Sequence, residues 1–160
     1  MATRIESIVL DAGILGLVSH PRPNRAFAAW WDGVLTSDVV VAIPEIADYE
    51  VRRELLRANK KTGVRRLDQL KSTFLYLPLT TSAMLRAAEM WAQARQQGRP
   101  TADPKELDCD VILASQAIEQ GAYVVTDNVG HLARFVSAGT WRDLAVDESK
   151  GRRYLVVQPS

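Results

Sequence analysis

The sequence has little of what several classes of protein require. Its 160 residues include one cysteine, Cys109, and two histidines, His20 and His131. A lone cysteine cannot form an internal disulfide, which fits a reducing compartment, and we therefore expect a cytoplasmic protein. The His and Cys spacing does not resemble a zinc site. A cysteine nucleophile is also disfavoured, because its activation needs a nearby base and only two histidines exist.

A dominant charge sign and a long apolar run are missing as well. Lysine and arginine number 20 against 19 aspartate and glutamate residues, a net charge of +1, which excludes a basic coat over the whole surface. No apolar run reaches the ~18 residues of a membrane span, and Asp11 interrupts the first one. We expect residues 1–160 to form one domain with no membrane partner, since the length fits a single domain.

Short β-like runs alternate with helical patterns along the chain. Strands are predicted at Ile5–Leu10, Val39–Ile43, Phe74–Leu77 and Ala122–Thr126, with Leu155–Gln158 as a candidate fifth. Helical spacing is found at Phe27–Val34, Glu45–Asn59, Met84–Trp91 and Val111–Gln120, and Gln97–Pro104 is predicted as a surface loop. The alternation predicts a three-layer α/β/α fold around a mainly parallel sheet of about five strands. Ligands bind such sheets at the carboxyl ends of the strands.

Acidic residues fall near this predicted edge in four separate segments. They are Asp11 after the first strand, Glu50 two turns into the helix after the second, Asp108 and Asp110 at a predicted helix start, and Asp127 after the strand Ala122–Thr126. Each has an ordinary alternative as a helix cap, a solvated helix face or a turn. Together they suggest a cation site, because clustered carboxylates repel and oxygen ligands suit Mg²⁺ or Mn²⁺.

Four segments together resemble the PIN-domain ribonucleases, a family that includes the toxins of bacterial VapBC toxin–antitoxin pairs. They are Ile8–Gly13, Ala42–Glu50, Asp110–Ala117 and Val124–Asn128, and the resemblance runs from residue 8 to about residue 135. It implies metal-dependent hydrolysis of RNA phosphodiester bonds, with Mg²⁺ or Mn²⁺ held by Asp11, Glu50 and Asp110. Thr126 falls on the family's threonine, which we assign to substrate binding. The resemblance also implies an antitoxin partner and a homodimer.

One position departs from the family pattern. The family often has its last acid two residues after the threonine, where this chain has Asn128. Either Asp127 turns inward as a catalytic ligand, or Asn128 contributes a neutral oxygen, or the site uses three acids with Asp108 nearby. The departure leaves an alternative function open, a catalytically silent PIN-like module that binds RNA or a protein.

Positive charge is concentrated between residues 52 and 66. Seven lysines and arginines stand there against a single acid, Glu54. The segment is either a solvated helix face or a strip that contacts RNA phosphates, and in the second case Arg52, Arg53 and Arg57 bind substrate. Trp30, Trp31 and Trp91 stand at helical spacing and are either core residues, surfaces for a partner or platforms for bases.

Overall fold

The computed structural model describes residues 3–98 and 104–159. The strands are β1 (Thr3–Ile5), β2 (Ser7–Leu10), β3 (Val40–Pro44), β4 (Leu75–Leu77), β5 (Tyr123–Val125), β6 (Ala138–Gly139), β7 (Leu144–Ser149) and β8 (Arg152–Val157). The helices are α1 (Ala12–Ser19), α2 (Arg25–Thr36), α3 (Glu45–Arg57), α4 (Lys61–Thr73), α5 (Thr81–Gln96), α6 (Pro104–Gln120) and α7 (Val129–Leu132). A 3₁₀ turn spans Trp141–Asp143.

Five strands form a parallel sheet in the order β4-β3-β2-β5-β6, flanked by helices. The predicted fold class is therefore confirmed. The central strand β2 is fully buried at Ile8, Val9 and Leu10, because neighbouring strands and covering helices exclude water from both of its faces. The chain moves outward from β2 through β3 to β4, then returns to its other side with β5. This places the change in strand order beside the end of β2, where open α/β sheets bind ligands.

A second sheet distinguishes the structure from the prediction. The predicted strand Ile5–Leu10 is divided at Glu6: β1 pairs antiparallel with β8, while β2 enters the parallel sheet. The candidate fifth strand Leu155–Gln158 belongs to β8, in the antiparallel sheet β1-β8-β7. The fifth strand of the parallel sheet is instead β6, which has only two residues. So short a strand leaves no apolar run for sequence patterns to detect.

Two predicted helices have different bounds in the structure. The helix predicted over Glu45–Asn59 ends at Arg57, because Asn59 adopts a left-handed φ of 55° and a second helix, α4, begins two residues later. The helix predicted from Val111 begins already at Pro104, so Asp108 and Asp110 lie inside α6 and not at its start. Of the predicted loop Gln97–Pro104, residues 99–103 lie outside the described residues.

The tryptophans pack mainly inside the fold. Trp30 and Trp31 on α2 lie against the main hydrophobic core, where the Trp30 ring packs in tilted geometry with its centroid 5.6 Å from that of Phe27 and 6.0 Å from that of Trp141. Trp91 packs with a smaller cluster between α5 and α6. These contacts agree with the core interpretation of the three residues. Within residues 3–98 and 104–159, we find no helix with the length and apolar character to cross a membrane.

Gln116 of α6 is a buried polar bridge within the core. Its Oε1 accepts from the Ile46 backbone N–H at 3.2 Å and its Nε2 donates to the Leu77 carbonyl at 2.7 Å. Gln116→Leu would leave both backbone groups without partners, so we expect a loss of about 2–4 kcal/mol in the free energy of unfolding. Chemical denaturation measures this, with Gln93→Leu on the exposed side of α5 as the control. Equal stability of the two variants would contradict the prediction.

Candidate acidic active site

Asp11 stands at the carboxyl end of β2 and is held from two directions. It is the N-cap of α1, where Oδ1 accepts from the Ala12 N–H at 2.7 Å, so the capping interpretation is confirmed. Its second oxygen, Oδ2, accepts from the Thr126 hydroxyl at 2.6 Å. Thr126 is fully buried after β5, and its Oγ1 in turn accepts from the Asn128 N–H at 2.9 Å. This chain of hydrogen bonds fixes the Asp11 carboxylate, yet each oxygen keeps a lone pair for another ligand.

Glu50 and Asp110 line the same cavity as Asp11, although any two of the three lie at least 39 positions apart in sequence. The cavity has a volume of about 340 Å³. Burial raises the pKa of Asp110 to about 6, and the charge of Asp11 acts in the same direction. Burial also raises the pKa of Glu50, followed by the charge of Asp11, while Arg53 opposes the shift. The three carboxylates therefore lie close enough to repel one another.

The candidates for the fourth metal ligand differ in whether they line the acidic cavity. Asn128 lines the acidic cavity, whereas the exposed Asp127 is not among its lining residues. Asp108 is also exposed on α6 and does not line the cavity. The structure thus brings the neutral Asn128, and neither of the two aspartates, to the three acids.

His131 and Cys109 are among the cavity residues that were not predicted as part of a site. His131 of α7, interpreted from sequence as a surface or helix residue, places Nδ1 at 3.7 Å from the Asp110 Oδ2. Cys109 also lines the cavity, and its burial raises the pKa of the thiol to about 11, which agrees with the expectation that it is no nucleophile. Sequence spacing gave no signal for His131, because its proximity to Asp110 arises only when α7 packs against α6.

The donor set of this cavity fits a hard divalent cation. Carboxylate and amide oxygens are the ligands that Mg²⁺ and Mn²⁺ prefer. Burial, and after it the charge of Asp11, raises the pKa values of Glu50 and Asp110, and a bound cation would offset both effects. As the side chains stand, no three His, Cys, Asp or Glu residues in the described part of the chain form a metal-binding group. The fit thus rests on the donor chemistry and the shared cavity.

The predicted substrate-binding arginines occupy different environments. Arg52 binds Asp48 at 3.0 Å and Asp68 at 2.7 Å, and this ion network ties α3 to α4 away from the acidic cavity. Arg53 lines the acidic cavity itself. Arg57 pairs with Glu54 at 2.7 Å and lines an adjoining cavity. The basic residues between positions 52 and 66 are therefore divided between α3, α4 and the turn that joins them, and their contact with RNA stays a prediction.

These features define the class of protein: it is an α/β protein with a carboxylate site at the carboxyl edge of a parallel sheet. The sequence of residues 8–135 matches the model of the PIN domain family. The chain therefore belongs to the PIN domain family. A comparison of the sequence with curated proteins finds no match.

Solved structures share the fold at low sequence identity. VapBC2 from Rickettsia felis, solved with a DNA fragment from its promoter, is 20% identical with a TM-score of 0.68, covering 84% of this chain and 98% of that chain. FitAcB from Neisseria gonorrhoeae is 22% identical, with a TM-score of 0.64 and the same coverage. VapC20 from Mycobacterium tuberculosis, a toxin that cleaves the sarcin–ricin loop, is 14% identical, with a TM-score of 0.56 over 81% of this chain and 95% of that chain. These likenesses concern the fold.

Proposed function

We propose that this chain is a metal-dependent endoribonuclease that hydrolyses RNA phosphodiester bonds. One observation carries the proposal: Asp11, Glu50 and Asp110 line one cavity at the carboxyl edge of the sheet, where burial and then the charge of Asp11 raise the pKa values of Glu50 and Asp110. The acidic cavity therefore carries an excess of negative charge. Membership of the PIN domain family and the RNA-cleaving neighbour VapC20 support the same activity.

The cavity residues divide into ligands and a positioning residue. Asp11, Glu50, Asp110 and Asn128 would hold the ion, and Thr126 would fix the orientation of Asp11 through its 2.6 Å hydrogen bond. A bound Mg²⁺ or Mn²⁺ supplies a water of lowered pKa and stabilises charge on the phosphate. In this arrangement Thr126 acts through Asp11 and not on RNA directly, which refines its assignment to substrate binding. Arg53, on the cavity wall, is placed to meet a phosphate.

Cleavage of single-stranded RNA by the purified protein tests the proposal. We expect Mn²⁺ or Mg²⁺ to support cleavage and EDTA to abolish it. Cleavage that persists in EDTA would overturn the metal dependence. RNA that is bound but never cleaved with either ion would favour the alternative, a catalytically silent binding module, for which the neutral Asn128 at the fourth position is the supporting observation.

The fourth ligand can be tested by two complementary substitutions. Because Asn128 lines the cavity and Asp127 does not, Asp127→Asn should change the rate of cleavage less than about twofold, well below the 10–100-fold effect typical of groups that support a metal site. Asn128→Asp adds a charged ligand and should tighten Mn²⁺ binding. Calorimetric titration with Mn²⁺ and a cleavage assay measure both effects. A strong loss of metal affinity in Asp127→Asn would instead assign the ligand to Asp127.

The proposed function also concerns the binding partners and the cellular location of the protein. The neighbours solved as VapBC complexes lead us to propose that an antitoxin protein binds this chain, and a short reading frame immediately upstream of its gene is the observation that would support a toxin–antitoxin pair. A homodimer and a cytoplasmic location stay predictions, the second resting on the lone Cys109. The single domain over residues 1–160 also stays a prediction.

A further inference from the structure

A groove leaves the acidic cavity on one side and runs along α1 and α3. A cavity of about 490 Å³ adjoins the acidic one and shares Ala12, Gly13, Glu50 and Arg53 with it. A third cavity of about 460 Å³ shares Gly16, Val51, Leu55 and Lys60 with the second and reaches the turn between α3 and α4. The shared walls make the three cavities one continuous groove, named here the α1–α3 groove.

Two glycines keep the α1 wall of the groove open. A Cβ atom built at Gly13 or Gly16 would meet no atom within 4 Å, so any side chain at these positions would project into free space. Both residues line the groove where two of its cavities join. Glycine costs a helix roughly 0.5–1 kcal/mol relative to alanine, so helix stability does not account for either residue. Open space at the two junctions is what they provide.

The walls of the groove combine apolar and cationic side chains. Val51 and Leu55 supply apolar surface along α3. Arg53 and Arg57 line its near half, where Arg57 pairs with Glu54, and the exposed Lys60 and Lys61 line its far end. Single-stranded nucleic acids bind to such surfaces, with bases on apolar or aromatic groups and phosphates on lysine and arginine.

We propose that the α1–α3 groove binds the single-stranded RNA segment that lies on one side of the cleaved bond. The inference rests on the proposed function and adds a direction to it, because the groove extends from the acidic cavity to Lys60 and Lys61. From Glu50 to Arg57 the α3 wall spans seven residues, or about 10 Å at ~1.5 Å per residue, which matches about three stacked nucleotides at ~3.4 Å each. A substrate should therefore need about three nucleotides on that side of the bond.

Fluorescence anisotropy with a labelled eight-nucleotide RNA tests the groove separately from catalysis. The titrations use the Asp11→Asn background so that RNA stays intact. We expect Gly16→Leu to weaken RNA binding by about tenfold or more, since it removes at least one base position, whereas Gly16→Ala should leave affinity nearly unchanged. Lys60→Glu/Lys61→Glu should lower the slope of log affinity against log salt by about 1.4, at ~0.7 for each phosphate that the protein no longer neutralises. The matched control is Arg86→Glu/Lys150→Glu, which makes the same charge change at exposed positions outside the groove.

The outcomes separate this inference from the proposed function. If wild-type protein cleaves RNA but the groove variants bind as tightly as their controls, the groove is wrong and the nuclease assignment stands. If RNA binding depends on the groove but wild type cleaves nothing, the nuclease assignment fails. Unchanged RNA affinity in every groove variant would also favour a protein segment, such as an antitoxin tail, as the occupant of the groove, contrary to the inference.

Discussion

Asp11→Asn should lower the rate of RNA cleavage by more than about 100-fold in a protein that still folds, because substitutions of groups that merely support a metal ligand already cost ~10–100-fold. Asparagine keeps an oxygen for the Ala12 N–H, so the start of α1 is preserved. It removes the negative charge that raises the pKa values of Glu50 and Asp110, so the metal-free variant should be at least as stable as wild type.

A gel assay of RNA cleavage with thermal denaturation of the same preparation measures both effects. Asp32→Asn, on an exposed position of α2, is the matched control and should change neither. Wild-type cleavage by a correctly folded Asp11→Asn protein would place the activity elsewhere.

Lowering the pH from 7 to 5 should stabilise the metal-free protein and weaken its binding of Mn²⁺. The pKa of Asp110 is about 6 in the folded protein against 3.8 as its ordinary value, and the pKa of Glu50 is raised as well. Between these two pKa values the folded state binds a proton that the unfolded chain does not. The stability that protonation of Asp110 contributes is therefore fully present below about pH 4 and is lost as the pH rises through about 6. We expect a gain of about 1 kcal/mol on acidification, below the full linkage value because the carboxyl is partly exposed.

Metal affinity should move the opposite way, since protons and the cation compete for the same oxygens, by up to about tenfold per pH unit for each proton displaced. Thermal denaturation in EDTA and calorimetry with Mn²⁺ at pH 5, 6 and 7 measure the two trends. The Asp110→Asn variant isolates the contribution of this carboxyl, because asparagine does not titrate. The difference in thermal stability between the variant and wild type should shrink as the pH falls. A stability difference between the two proteins that does not change with pH would show that Asp110 is not the group that causes the pH dependence.

The central part of the fold could be predicted from sequence because its signals are local. Continuous apolar runs mark β2 and β3, and acids directly after strands mark the edge where ligands bind. Asp11 was predicted in this way. Glu50 and Asp110 were predicted from helical segments near the same edge and from the family resemblance, and the three residues share one cavity.

The remaining features depend on tertiary contacts. β6 is too short to leave a pattern, and the pairing of β1 with β8 joins residues about 150 positions apart. The approach of His131 to Asp110 and the position of Asn128 on the cavity wall depend on how α7 packs, which sequence spacing does not encode. The predicted helix end at Asn59 lies two residues beyond the observed end at Arg57, and the helix α4 that follows was not predicted.

The antiparallel sheet also has a consequence for the order of events during synthesis. Thr3 pairs with Val157, so β1 has no partner in this sheet until β8 has been made. At about 5–20 residues per second, the ribosome needs roughly 8–30 s to add the 154 residues between these positions. The proposed nuclease residues, by contrast, all precede residue 132 and belong to the parallel sheet and its helices. The nascent chain therefore carries every residue of the acidic cavity before the strand that closes the second sheet exists.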